Sequence, residues 1–345
     1  MFEDAIRQVI RSHSDHWINL LVSFCRDPVG LQKFLPESGD GLTCSIHEPT
    51  KGVFELYVTA SQVVEVVDSF CTITDFPFLA AEFALETLTR STGIRSWYRG
   101  TEKIYGLNTR LLEDFYLSKT LGNASFGERY LVNNLPQSVA EITIIDGQGE
   151  QYTGSGVVVA QGSPYIESHR ILTCKHNLYS EAGHRYEIQS INVGNETFEA
   201  VNIFICQRID VCMVVLDRTG TTVPLPYGSP HILSPVITAG FPRVSLFEAS
   251  PLLLHRGEIN GCTGEVELGT REMIVSCDVA PGNSGGPVLS EFGAILGLVH
   301  EITETASRTG MAKYGKAIPI DQILAELKSG VDSDKVKQDY IGRQN

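Results

Sequence analysis

No apolar run in this sequence approaches the roughly 18 residues that a membrane-crossing helix requires, so no spanning segment is expected. The opening Met1-Phe2-Glu3-Asp4, followed by Arg7 and Arg11, lacks the basic leader and apolar stretch of a secretory signal. Positive charge is also scarce: 27 Lys and Arg stand against 41 Asp and Glu, a formal charge of −14. Such a surface is a poor partner for nucleic acid or an anionic membrane, and it leaves proteins and peptides as the partners to expect. The eight cysteines, at 25, 44, 71, 174, 206, 212, 262 and 277, have no regular spacing. They fit neither a disulfide framework nor a Cys-x-x-Cys metal motif, and several sit in apolar runs where reduced, buried thiols are common. A reducing cytoplasm is the expected compartment, with no metal and no cofactor. Repeats and low-complexity tracts are absent too.

What is present is concentrated in one octapeptide, Ala280-Pro281-Gly282-Asn283-Ser284-Gly285-Gly286-Pro287. Gly282 and Gly285 carry no side-chain bulk and can adopt positive φ, a backbone that presents the Ser284 hydroxyl and leaves the Gly282 and Ser284 amides to form an oxyanion hole. A serine alone is a poor nucleophile, so a base and an orienting carboxylate are required. His176 closes the apolar segment Arg170-Ile171-Leu172-Thr173-Cys174-Lys175-His176. Asp210 opens Asp210-Val211-Cys212-Met213-Val214-Val215-Leu216, which has the pattern of a buried strand. Asp217, at the far end of that strand, is the rival carboxylate and the less suitable one. His169, His184, His231 and His255 read as surface or loop residues, and Ser155 and Ser290 as ordinary strand residues.

The order His, Asp, Ser and five local motifs resemble the chymotrypsin-fold serine proteases, in particular their bacterial HtrA (Deg) branch. The motifs are Gly154-Ser155-Gly156-Val157-Val158-Val159, Ile171-Leu172-Thr173 with His176, Gly240-Phe241-Pro242, Pro281 to Pro287, and Ala317-Ile318-Pro319-Ile320. The likeness covers about residues 138 to 325. It implies two six-stranded β-barrels, a bacterial origin and a Ser284, His176, Asp210 triad cutting peptide bonds. Two departures matter. Asn177 stands where digestive members carry a disulfide-forming cysteine, and Asn283 stands where zymogen-activated members carry an aspartate, so activation by N-terminal trimming is not expected. In this fold the residue six before the nucleophile, here Asp278, can floor the substrate pocket and attract Lys or Arg, or it can instead anchor the loop. His300, in the pocket wall Leu298 to Ile302, either reads acidic side chains or packs through a hydrogen bond. Loops are expected to govern activity, with Glu301 to Tyr314 as the mobile segment.

The chain exceeds one double barrel, and 42% hydrophobic residues supply ample core. Three regions are expected: an α-rich mixed domain over 1–135, a protease domain over 136–328 and a polar tail over 329–345, giving an α+β protein overall. In the first region Glu3 to Phe24 has helical spacing with a break near Ser12 to Asp15. Gly52 to Val58 and Val63 to Val67 look like strand or mixed segments. Phe78 to Thr89 and Leu107 to Leu117 look helical, the latter with Leu111, Leu112, Phe115 and Tyr116 as its buried face. Gly122 to Pro136 reads as the boundary, and Asp321 to Lys328 as a short terminal helix. Too few residues follow for the PDZ domain usual in HtrA proteins, so the N-terminal domain is the expected seat of recruitment and regulation. The expected function is a serine endopeptidase that processes a dedicated intracellular protein. General quality control and a catalytically silent binding module stand as the alternatives.

Overall fold

A computed structural model of the chain describes residues 2–26, 55–64, 78–92, 96–117, 119–160, 169–244, 250–263, 270–307, 310–328 and 336–341. They form two compact units, Met1–Asn133 and Asn134–Asn345.

In the first unit, α1 (Phe2–Ser12) and α2 (Ser14–Arg26) are separated at His13, within the break expected from sequence. Apolar residues at helical spacing turn inward: Ile6, Val9, Trp17, Leu20 and Leu21 are buried. Strands β1 (Glu55–Thr59), β2 (Ser96–Arg99) and β3 (Glu102–Asn108) pair antiparallel with β3 in the centre. Helix α3 spans Phe78–Thr92, and α4 begins only at Thr109 because Leu107 belongs to β3. On α4 Leu112 is fully buried, Leu111 and Phe115 are half-buried, and Tyr116 in the last turn is exposed, so the inward face is narrower than expected. Residues 60–64 are helical where Val63 to Val67 suggested a strand or mixed segment; 52–54 and 65–67 lie outside the described residues. The stretch from Gly122 to Pro136 is two short helices, α5 (Leu121–Phe126) and α6 (Glu128–Asn134).

The second unit is a chymotrypsin-like double barrel. Its second lobe is a closed six-stranded barrel built from β11 (Pro235–Gly240), β12 (Leu253–Cys262), β13 (Met273–Val275), β16 (Gly310–Pro319), β15 (Ile295–Ser307) and β14 (Pro287–Ser290). Its first lobe departs from the expected six strands. It is an eight-stranded antiparallel sheet in the order β17-β9-β10-β6-β5-β4-β7-β8. Inside lie β4 (Val139–Ile145), β5 (Gln151–Ala160), β6 (His169–Thr173), β7 (Glu187–Val193), β9 (Ala200–Cys206) and β10 (Cys212–Leu216). The two additional edge members are the short β8 (Glu196–Phe198), which turns back on β7, and β17 (Val336–Tyr340), which pairs with β9. The region read as a polar tail thus supplies a strand: Val336 is buried, and Asp339 accepts a hydrogen bond from the Tyr179 hydroxyl at 2.6 Å.

Alternation sets the inward face of each strand. In β10, Cys212, Val214 and Leu216 are buried while Met213 and Val215 are half-buried. Together with Ile142, Val158, Ile171, Ile191 and Ile203 they form the first lobe's core. Val236, Ile259, Met273, Val275, Val288 and Val299 form the second. Each such side chain contributes about 1.5–3 kcal/mol on burial. The segment Glu301 to Tyr314, expected to be mobile, contains paired backbone. Over 301–307 and 310–314 strands β15 and β16 run in register, Thr303 opposite Tyr314, and β-branched Ile302, Thr303 and Thr305 suit a pleated strand. Helix α7 (Ile320–Lys328) follows β16 and buries Ile320 and Ile323.

Candidate active site

Strand β6 ends at Thr173, and the chain passes through extended Cys174 into a single 3-10 turn, Lys175–Asn177, that carries His176 outward. Strand β10 pairs with β6, Cys212 opposite Thr173, so the bend just before β10 brings Asp210 alongside that turn. Three hydrogen bonds join them. The Lys175 amide donates to the Asp210 carbonyl at 3.2 Å, and the His176 amide to Asp210 Oδ1 at 2.9 Å. His176 Nδ1 lies 2.5 Å from Asp210 Oδ2. The imidazole is therefore oriented through Nδ1, leaving Nε2 toward solvent on a side chain 47% exposed. Asp217, the rival carboxylate, lies at the other end of β10, where it accepts from the Glu199 amide and Arg218.

A second imidazole shares the same carboxylate. His300 on β15 places Nδ1 3.0 Å from Asp210 Oδ2, with the two histidine rings 6.2 Å apart between centroids. Burial by itself would raise the Asp210 pKa, but hydrogen bonds and charge from His176 and His300 outweigh it and hold the carboxyl well below the ordinary carboxylate range. Asp210 is thus ionised at neutral pH. His300 was read from sequence as part of the pocket wall; its ring lies against Asp210, and it also lines a small cavity of about 150 Å³ with Arg208, Thr270, Arg271 and Gln322.

Ser284 sits in the tight turn preceding β14. Gly282 has φ +100° and Gly285 φ +83°, both in the left-handed region that favours glycine. A Cβ on Gly282 would stand 2.5 Å from the Phe241 carbonyl oxygen, and one on Gly285 2.2 Å from that of Ser155 and 2.4 Å from Thr173 Oγ1. The turn is clamped by its own bonds: Asn283 N to Ala280 O at 2.9 Å, Gly286 N to Asn283 O at 2.9 Å, and Gly285 N to Val299 O at 2.7 Å. Among the described residues the amides of Gly282 and Ser284 donate to nothing, so both can meet an oxygen that gains negative charge. Ser284 Oγ donates to the His300 carbonyl at 3.4 Å, and no hydrogen bond joins it to His176. Gly285→Ala is expected to cost at least about 3 kcal/mol, from left-handed backbone strain added to overpacking. Urea unfolding of the purified variant checks this; an unchanged midpoint contradicts it.

Two residues that tie the serine turn to the first lobe went unnoticed in the sequence. Ser155, read as an ordinary strand residue, is fully buried; its hydroxyl accepts from the Phe241 amide at 2.8 Å and donates to the Gly282 carbonyl at 2.7 Å. Its own amide donates to the Ser284 carbonyl at 2.9 Å. Asn177, noted only as a missing cysteine, donates from Nδ2 to the Ser284 carbonyl at 2.8 Å and to Thr173 Oγ1 at 3.0 Å. The serine loop is thereby stapled to the histidine loop without a disulfide. For Ser155 the available signal was a polar residue in a strand that is otherwise apolar toward its end.

Asp278 is exposed on the loop before the turn, beside buried Cys277. His184 and His231 are exposed, His255 is half-buried on β12, and His169 meets the Thr222 hydroxyl. Cys174, Cys206, Cys212, Cys262 and Cys277 are free thiols. Burial pushes the Cys206 thiol up to about 12 and those of Cys174 and Cys212 well above the usual range, so all three stay protonated. Among the described residues no helix is long and apolar enough to cross a membrane.

Among solved structures, the active form of the Rv3671c protease from M. tuberculosis is similar to this chain with a TM-score of 0.45 and 19% identity, covering 61% of this chain and 90% of that one. A serine endoprotease from Yersinia pestis gives a TM-score of 0.44 at 20% identity over 59% of this chain and 66% of its own. An HtrA-type protease, an AlgW variant with a tripeptide, gives 0.44 at 18% over 59% and 63%. No curated protein matches the chain. The family model described as trypsin-like peptidase domain matches residues 154–298, a span that contains His176, Asp210 and Ser284. Over that span the chain is similar to a trypsin-like peptidase domain.

Proposed function

We propose that the chain is a serine endopeptidase in which Ser284, His176 and Asp210 act as a triad. The observation that carries this reading is the His176 Nδ1 contact to ionised Asp210, which fixes the tautomer with a bare Nε2 able to take a proton. The mechanism requires Ser284 Oγ to leave the His300 carbonyl and meet Nε2. Oγ then attacks the peptide carbonyl as Nε2 takes its proton. The Gly282 and Ser284 amides hold the oxyanion, and His176 returns the proton to the leaving amine, forming an acyl-enzyme that water releases. A fluorophosphonate probe tests the array directly: one label per chain, lost in Ser284→Ala, is expected, and a native protein that stays unlabelled both with and without added peptide overturns it.

A second reading rests on one observation. Since Ser284 Oγ is bonded to the His300 carbonyl and not to His176, the resting array is not engaged. A catalytically silent binding module would keep it so in every condition, whereas an enzyme gated by substrate or partner would not. Labelling that appears only with added peptide identifies gating.

Within the peptidase reading, Asp278 selects Lys or Arg before the cut bond, since the His300 ring is engaged with Asp210. Asp278→Asn is expected to lower kcat/KM for Lys and Arg peptides by about tenfold to a hundredfold, with neutral peptides unchanged. Equal loss across peptides contradicts the role. A cytoplasmic location and one dedicated protein substrate, recruited through the N-terminal unit, complete the proposal; scattered cuts across a lysate would favour quality control.

A further inference from the structure

Cys174, His176, Asp210 and His300 bring a thiol, two imidazoles and a carboxylate together so that their ligating atoms all lie within 4.8 Å of one another. They come from three separate segments, the turn after β6, the bend before β10 and strand β15, so no spacing along the chain reveals them. The expectation of no metal rested on such spacing alone. We propose that this cluster binds Zn²⁺ and that its occupation switches the peptidase off. The binding half stands on the cluster itself; the switching half rests on the triad reading above.

The donor set suits zinc, which takes sulfur, imidazole nitrogen and carboxylate oxygen at about 2.0–2.3 Å in a tetrahedron, with ligand atoms about 3.3–3.8 Å apart. Both Nδ1 atoms already converge on Asp210 Oδ2, at 2.5 and 3.0 Å. Shifts of less than about 1 Å open that knot to an ion. Cys174 closes the site from beneath, fully buried, its Sγ now donating to the Val299 carbonyl at 3.2 Å. Entry is from the exposed side of His176, which faces an open cleft of about 870 Å³ shared with Lys175, Tyr179 and His184.

The proton balance explains the switch. Zinc replaces the thiol proton of Cys174, which leaves to solvent as the Zn–S bond forms. At each histidine zinc takes Nδ1, and the neutral ring carries its proton on Nε2 with no net change. His176 Nε2 thereby becomes a donor and can no longer accept the Ser284 proton.

Co²⁺ titration of the full chain, followed by Zn²⁺ competition, tests the site without reference to activity. One equivalent of Co²⁺ with a sulfur-to-cobalt charge-transfer band is expected. Cys174→Ser should lose the band and weaken Zn²⁺ at least about 100-fold, while its metal-free peptidase rate stays within a few-fold of native. Cys174→Ala replaces it if the serine variant does not fold. Native activity should fall with Zn²⁺ and return with a chelator. Absence of stoichiometric binding, or binding unaltered in both cysteine variants, overturns the proposal, and binding without inhibition overturns the switch. Stoichiometric binding in a protein inert under every condition leaves the site intact and sinks the triad reading.

Discussion

Ser284→Ala is expected to reduce kcat on the order of a million-fold while leaving peptide binding within a few-fold of native. The hydroxyl makes one hydrogen bond, at 3.4 Å to the His300 carbonyl, and contributes nothing to the bonds that shape its turn, which run through the backbone of residues 280 to 286 and 299 and through Ser155 and Asn177. Removing Oγ should therefore leave the fold and the two unoccupied amides in place, and the loss falls on the chemical step. A burst-phase assay with a chromogenic ester, together with peptide binding measured by anisotropy, separates the two effects. A variant that still turned over at a tenth of the native rate would show that the hydroxyl is not the nucleophile.

The second large effect is expected at Asp210, where asparagine should lower kcat by about 10⁴ at neutral pH. Asp210 Oδ2 accepts from His176 and His300 together, and Oδ1 accepts from the His176 amide. An amide can keep the main-chain bond only by turning its NH₂ toward both imidazoles. That forces acceptor tautomers at both Nδ1 atoms and puts a proton on His176 Nε2, where a base needs a lone pair. Pre-steady-state kinetics on the purified variant measures the loss, and a fall of less than tenfold contradicts the orienting role. Acid stability gives a second readout. The folded-state pKa of Asp210 lies below its unfolded value of about 3.9, so its ionised form contributes stability above about pH 4 that is lost as the pH falls further. The asparagine variant should lose less melting temperature than native protein between about pH 5 and pH 3.

How far the sequence carries depends on whether the relevant signal is local. That β10 is a buried strand was readable from the unbroken apolar run Val211 to Leu216, but which of its side chains face inward was not, because a run apolar throughout carries no alternation. The serine turn was readable because only glycine tolerates the φ values at 282 and 285. The approach of residues 176 and 210 could be anticipated from where each sits relative to an apolar strand. Partners brought together by register were invisible. Nothing near position 155 indicates that its hydroxyl holds the Gly282 carbonyl, and nothing near 300 indicates a ring against Asp210. The pairing of β15 with β16 was hidden for a related reason: their polar, threonine-rich composition resembles a loop until the opposite strand is known.

The pairing of β17 with β9 has a consequence for how the first lobe keeps to itself. Without Val336 to Tyr340, the backbone N–H and C=O groups of Asn202 to Cys206 would form an unprotected sheet margin, ready to recruit an extended segment from a neighbouring molecule. Scission between 328 and 336 would convert a self-contained lobe into a template for polymerisation. Under the proposed peptidase activity, its own closing strand would be a hazard if it ever became a substrate.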